Sequence, residues 1–206
     1  MNRRKWMMLM GGFCLSGCSE KKMAREEAEV SWKEMKGQWV GLSGGTVAEV
    51  GEMLKIGWGE RLTNVQWQGE VPTVPFELEF EAKRVDGTDF FCAVTFPARG
   101  IDECVTLVLG GWGGGTVGIS SINDVDASEN ETSLLHEFKT DVWYAIRIVR
   151  KDEKILVWID DKKVIDVDTT GKKLSLREGE IEECAPFGLS TWQTSGEVRG
   201  LRWRKL

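Results

Sequence analysis

Three glutamates, Glu77, Glu79 and Glu81, recur two apart in Phe76-Glu77-Leu78-Glu79-Phe80-Glu81, so an extended backbone puts their carboxylates on one face. Neighbours on that face stand about 6.6 Å apart by strand rise. General acid and base work on a glycosidic bond is one reading. A solvated polar face opposite Phe76, Leu78, Phe80 and Ala82 is the other, and is preferred. Gly110-Gly111-Trp112-Gly113-Gly114-Gly115 is a second candidate. It lacks the spacing and the strand-to-helix context of a phosphate cradle. Few side chains would cover the indole, so Trp112 could offer a flat face to the apolar side of a sugar ring. The competing reading, a glycine-rich bend with Trp112 plugging the core edge, is preferred. Trp192, at the end of a predicted strand over 187–192, is a second aromatic contact candidate.

From Asn123 to Glu131 oxygen ligands fall at alternating positions, as in a calcium loop, but Glu129 and Leu135 stand where an EF-hand needs Gly and Glu. A polar loop turning through Asx bonds is preferred. Calcium or another divalent metal at Asp124 and Asp126 stays open. The same loop could present Asp124, Asp126 and Asn130 to sugar hydroxyls. A single histidine, His136, rules out metal sets built on two or more imidazoles. It reads as a surface or hydrogen-bonded residue.

The N-terminus supplies an address. Arg3, Arg4 and Lys5 precede an apolar run over 6–15, which ends in Leu15-Ser16-Gly17-Cys18. The run is too short to cross a bilayer and reads as a signal peptide over 1–17. The segment resembles a bacterial lipoprotein signal with its lipobox, which makes Cys18 the lipidated residue and the membrane a partner through that anchor. Ser19 favours the outer membrane, facing periplasm or surface. Residues 18–37 read as lipidated Cys and a charged, partly helical tether, with Trp32 and Met35 able to dock on the domain and a solvated stalk preferred.

These candidates need a scaffold. The chain has 206 residues. Removal of 1–17 leaves about 189, one ordinary domain over 38–206. Removing Arg3, Arg4 and Lys5 from 27 basic residues leaves 24 against 33 acidic ones, a net charge of −9 that argues against nucleic acid as partner. Ten Trp, 24 Gly and four Pro suit an all-β domain with many tight bends. Short alternating segments separated by Gly, Asp and Asn predict strands over 53–58, 64–68, 76–84, 90–96, 104–109, 116–121, 143–150, 155–159, 163–167, 187–192 and 198–206. So many short strands suit two packed sheets. Cys92, Cys104 and Cys184 remain after lipidation. A hairpin pairing 96 with 104 separates Cys92 from Cys104 by about 13 Å along the ladder, so buried free thiols are expected, with a bridge through an irregular hairpin as the alternative.

Trp143-Tyr144-Ala145-Ile146-Arg147, the stretch from Val157 to Asp166, Pro186-Phe187-Gly188-Leu189-Ser190 and the closing stretch from Glu197 to Arg204 resemble, in that order, the bacterial 3-keto-disaccharide hydrolase domain family. Phe76 to Glu81 followed by Asp89-Phe90-Phe91 occupies another of its motif regions, with Phe90 and Phe91 where the family has a small residue and Gly. The resemblance spans roughly 38–206 and implies a concanavalin-A-like jelly-roll sandwich that binds carbohydrate or cleaves a glycosidic bond. It also gives Glu77, Glu79 and Glu81 a parallel in the E-x-D-x-E strand of glucanases with this fold. No nucleophile, triad or metal set is recognisable in the sequence.

Overall fold

The computed structural model describes residues 31–206, and the predicted signal peptide, Cys18 and the tether up to residue 30 lie outside the described residues. The chain runs through β1 (Lys33–Glu34), β2 (Trp39–Ser43), β3 (Val47–Val50), β4 (Met53–Ile56) and β5 (Leu62–Trp67). The long β6 (Phe76–Gly87), β7 (Cys92–Gly100), β8 (Glu103–Gly110) and β9 (Thr116–Ser120) follow. After the short β10 (Leu134–Leu135) come β11 (Trp143–Lys151), β12 (Lys154–Ile159), β13 (Lys162–Asp168), β14 (Gly188–Trp192) and β15 (Thr194–Lys205).

Two antiparallel sheets make a jelly-roll sandwich. The eight-stranded sheet runs β13-β12-β11-β6-β15-β4-β3 with β1 also on β15, and the seven-stranded sheet runs β10-β9-β8-β7-β14-β5-β2. The alternation in β6 decides its orientation, because Phe76, Leu78, Phe80 and Ala82 all enter the core while Glu79 and Glu81 stay partly exposed outside. Val94, Phe96, Leu107, Leu109, Val117, Ile119 and Leu189 fill the same core from the seven-stranded sheet. Burying such aliphatic and aromatic side chains stabilises the fold by roughly 1.5–3 kcal/mol each. The β11–β12 hairpin closes with Lys151 opposite Lys154, where the sequence places its turn.

Residues 31–37 differ from the expected helical stalk. β4 pairs with β15 only through Arg199, and β1 takes up the edge beyond, with Lys33 opposite Trp203 and Glu34 opposite Arg202. The Met35 N–H donates to the Leu201 carbonyl at 2.9 Å, and its side chain is buried in the core. Unpaired backbone groups on an edge strand are what this short strand satisfies.

The β7–β8 register also differs from expectation by one residue. Pro97, not Phe96, stands opposite Cys104, and Cys92 opposite Leu109, because the hairpin closes through an irregular step between Pro97 and Gly100. Cys92, Cys104 and Cys184 are buried free thiols, as expected. Burial pushes the Cys184 thiol up to about 11, which suits a core residue and not a nucleophile.

Candidate functional site

The outer face of the seven-stranded sheet carries a cleft of about 400 Å³. Its floor follows from the pleat. Ala93 and Val108 face each other across β7 and β8, as do Thr106 and Ser120 across β8 and β9, and all four point away from the core. Small side chains here leave room above the sheet, while Phe90 packs on Ala93, Val108 and Ala127 at one side. Trp112, Trp192, Leu62 and the 177–181 segment complete the walls.

Trp112 and Trp192 therefore meet at one cleft, although 80 positions separate them in the sequence. Trp112 is 44% exposed, so it does not plug the core edge. Its backbone is left-handed, with φ 48°, in a single irregular turn over Gly111–Gly114. Gln193, directly after Trp192, is left-handed as well, with φ 44°. Non-glycine residues in that region cost of order 1–3 kcal/mol and persist where surrounding bonds over-determine them. Those bonds are present. Asp89 accepts from the Phe90 N–H at 2.8 Å with Oδ1 and from the Gly113 N–H at 3.3 Å with Oδ2. The Trp192 N–H donates to the Phe90 carbonyl at 3.1 Å, and Gln193 Nε2 donates to the Glu60 carbonyl at 2.9 Å. The glycines around Trp112 serve a close approach from below. A Cβ on Gly110, which has φ +80°, would stand 2.6 Å from Arg84 Nη2, and one on Gly114, with φ +103°, would stand 3.0 Å from the Thr88 carbonyl oxygen.

The opposite wall is tied down at both ends. Arg177 Nε lies 3.4 Å from Asp126 Oδ2, and Arg61 Nη1 lies 3.4 Å from Glu180 Oε1. Asn64 Nδ2 donates to the Glu180 carbonyl at 2.7 Å. Asp126 Oδ1 in turn accepts from Ser120 Oγ at 3.2 Å and Ser121 Oγ at 3.4 Å. Asp126 thus stands directly behind the cleft lining and supports it through Ser120 and Arg177.

The other loop candidates do not join it. Asp124 is exposed and pairs with Lys173 at 2.7 Å. The Asn130 side chain is consumed by its own loop and the end of β9. Its Nδ2 donates to the Ile119 carbonyl at 2.7 Å and the Val125 carbonyl at 3.0 Å, and its Oδ1 accepts from the Thr132 N–H at 2.9 Å and hydroxyl at 2.6 Å. That is the Asx-turn reading of the loop. Among the described residues no group of three or more His, Cys, Asp or Glu is gathered to hold a metal ion. A cation already faces each of the two aspartates.

Glu77, Glu79 and Glu81 lie on the outer face of the eight-stranded sheet, across the sandwich from the cleft, and each has an arginine partner on a neighbouring strand. Glu77 pairs with Arg147 and, at 2.5 Å, with Arg204; Glu79 pairs with Arg202 at 2.9 Å and Glu81 with Arg199 at 2.7 Å. Burial works to raise the Glu77 pKa, but the hydrogen bonds and charges of Arg147 and Arg204 outweigh it and hold the carboxyl below its ordinary range. A general acid needs the opposite shift. The structure replaces both the preferred solvated face, since Glu77 is buried, and the acid/base reading of these glutamates with an ion-pair ladder, because alternation cannot show which cations the adjacent strands bring. His136 packs in an aromatic cluster, its ring centroid 4.4 Å from Phe138 and 5.8 Å from Tyr144. Burial is the main cause of its lowered pKa.

Sequence reading missed Arg61, Arg177, Glu178 and Glu180, which line the cleft from loops and from the start of a short 3₁₀ turn (Glu180–Cys184) with no periodic pattern. Asp89 had a signal, since it falls in a motif of the resembled family.

No family model matches the chain, and no curated protein matches it. Solved structures do share its fold. An apo Crh5 transglycosylase superposes with a TM-score of 0.58 at 11% identity, covering 86% of this chain and 85% of the other. The carbohydrate-binding module CBM66 from Bacillus subtilis gives a TM-score of 0.50 at 13% identity, covering 81% of this chain and 95% of the other. A sialidase gives 0.52 at 11% identity, covering 82% of this chain and 17% of that longer one. At such identities the likeness establishes the two-sheet jelly roll.

Proposed function

We propose that the cleft on the seven-stranded sheet binds carbohydrate. The observation that carries this is the convergence of Trp112 and Trp192 over a floor of small side chains. Trp112 is exposed and Trp192 half-buried at the cleft; indoles there offer flat apolar faces to sugar C–H bonds, and Asp89, Arg61, Arg177, Glu178 and Glu180 around them supply donors and acceptors for hydroxyls. A transglycosylase, a sialidase and a carbohydrate-binding module among the fold neighbours support the same reading. The finer reading is action on 3-keto-disaccharides, which the family motifs support. A glycosidic cleavage there would draw its acid and base from Asp89, Glu178 and Glu180, not from Glu77, Glu79 and Glu81. The leader motif supports lipidation of Cys18 and a place in the cell envelope.

The test is incubation of the full chain, in detergent, with trehalose, cellobiose and lactose and their 3-keto derivatives, followed by NMR. Turnover supports the hydrolase, and saturable shifts without turnover support a binding module. Neither result, across the whole panel, would contradict the carbohydrate reading. For the anchor, Cys18→Ser should release the protein from membranes, and retention after a high-salt wash would contradict it.

A further inference from the structure

Arg84 is a cation at a position where the alternation of β6 calls for an apolar residue. It follows Phe76, Leu78, Phe80 and Ala82 on the inward face and is buried, with 6% exposure. No carboxylate pairs with it among the described residues. Its guanidinium serves backbone carbonyls instead. Nη2 donates to Gly114 at 2.8 Å, to Asp89 at 3.2 Å and, at the long limit of 3.5 Å, to Gly110, while Nη1 donates to Phe138 at 3.3 Å. Nε finds no partner, and the group lies 5.1 Å from the Phe91 ring centroid. Burial pushes its pKa down, and the charge of Asp89 pushes back.

A buried cation with no ion-pair partner among the described residues and with one unsatisfied donor is costly, and an apolar residue would fill the position more cheaply. The carbonyls it engages identify what is gained. Gly110 and Gly114 bracket the turn that carries Trp112, and Asp89 binds that same turn through Gly113. We infer that Arg84 is the positioning residue of the cleft, fixing the height and angle of Trp112 and Asp89 from beneath. A planar fork with several fixed donors can hold two segments at once, which a lysine, as a point donor, cannot. The role rests on the carbohydrate reading for its purpose, but its geometry can be tested without any ligand.

The experiment labels the full chain with 5-fluorotryptophan and assigns the Trp112 ¹⁹F line from Trp112→Phe. Arg84→Met and Arg84→Lys are then compared with the parent. The expected result is a shifted or broadened Trp112 line in both variants, more pronounced in Arg84→Met, with the Trp143 and Trp158 lines unchanged. For any disaccharide of the panel that binds the parent, affinity should fall about tenfold to a hundredfold, as small misplacements do in other sites. Adding Arg84→Met to Trp112→Ala should then cost little further affinity. An unmoved Trp112 line overturns the inference, as does loss of dispersion across all tryptophan lines in both variants, which would make Arg84 a residue of the whole core. A moved Trp112 line without saccharide binding by the parent would leave the positioning role standing and count against the carbohydrate reading.

Discussion

The two outer faces of the sandwich use the same residue types to opposite ends. On the eight-stranded sheet, tryptophans and charges are spent on one another. Arg147 lies 4.3 Å over Trp158, Arg199 4.1 Å over Trp143, and Arg202 and Arg204 each 4.6 Å from the Trp32 ring. The same guanidiniums pair with Glu77, Glu79 and Glu81, and Lys55 and Lys83 share Glu197. On the seven-stranded sheet the floor side chains are small, and two tryptophans stand above them at strained turns. A face whose groups already satisfy each other is stable and inert, whereas one floored by small side chains keeps surface for a ligand.

The largest expected effect sharpens the inert side. Glu77 is 2% exposed and serves two arginines, so Glu77→Ala should cost about 2–3 kcal/mol of folding stability in denaturant melts, below the full cost of a buried pair because both arginines stay near 40% exposed. Saccharide affinity should not change. A loss of affinity at full stability would break the contrast between the faces. The folded-state pKa of Glu77 is depressed, so its contribution is present above the unfolded value, about pH 4.3, and is lost as pH falls through the lower folded value. Melts of the parent and Glu77→Gln should therefore differ most near neutral pH and converge in acid.

Trp112→Ala probes the open side and should show the reverse pattern. Binding should weaken by about 1–3 kcal/mol, while stability changes by less than about 1 kcal/mol. A core-edge tryptophan would instead lose roughly 3–5 kcal/mol of stability. Arg202→Ala removes one half-exposed pair and should cost about 0.2–1 kcal/mol, read as a small melting shift that fades in high salt. The smallest effect is reserved for metal. With Asp124 facing Lys173 and Asp126 facing Arg177, millimolar calcium and chelator should give the same melting temperature; a rise with calcium would return the loop to metal binding.

The scaffold was far easier to read from sequence than the site. Alternation in Phe76 to Ala82 and in the β11–β12 hairpin fixes which side chains enter the core, since a one-residue slip would turn them all outward. Trp112 stood out through its glycines and Trp192 through its place at a strand end. The short pairings of β1 and β10 carry no period of their own and exist because neighbouring strands leave edges to cover. Arg61 and the 177–181 segment reach the cleft only through tertiary folding. The role of Arg84 leaves one trace in the sequence, a cation at an inward position of an otherwise apolar stripe.

The most direct measurement is a saccharide titration of the full chain labelled with 5-fluorotryptophan, using the disaccharide panel and recording every assigned indole line. Saturable shifts are expected at Trp112 and Trp192, with Trp32, Trp143 and Trp158 unmoved. Shifts confined to Trp32, Trp143 and Trp158, or no shift with any sugar, would contradict it.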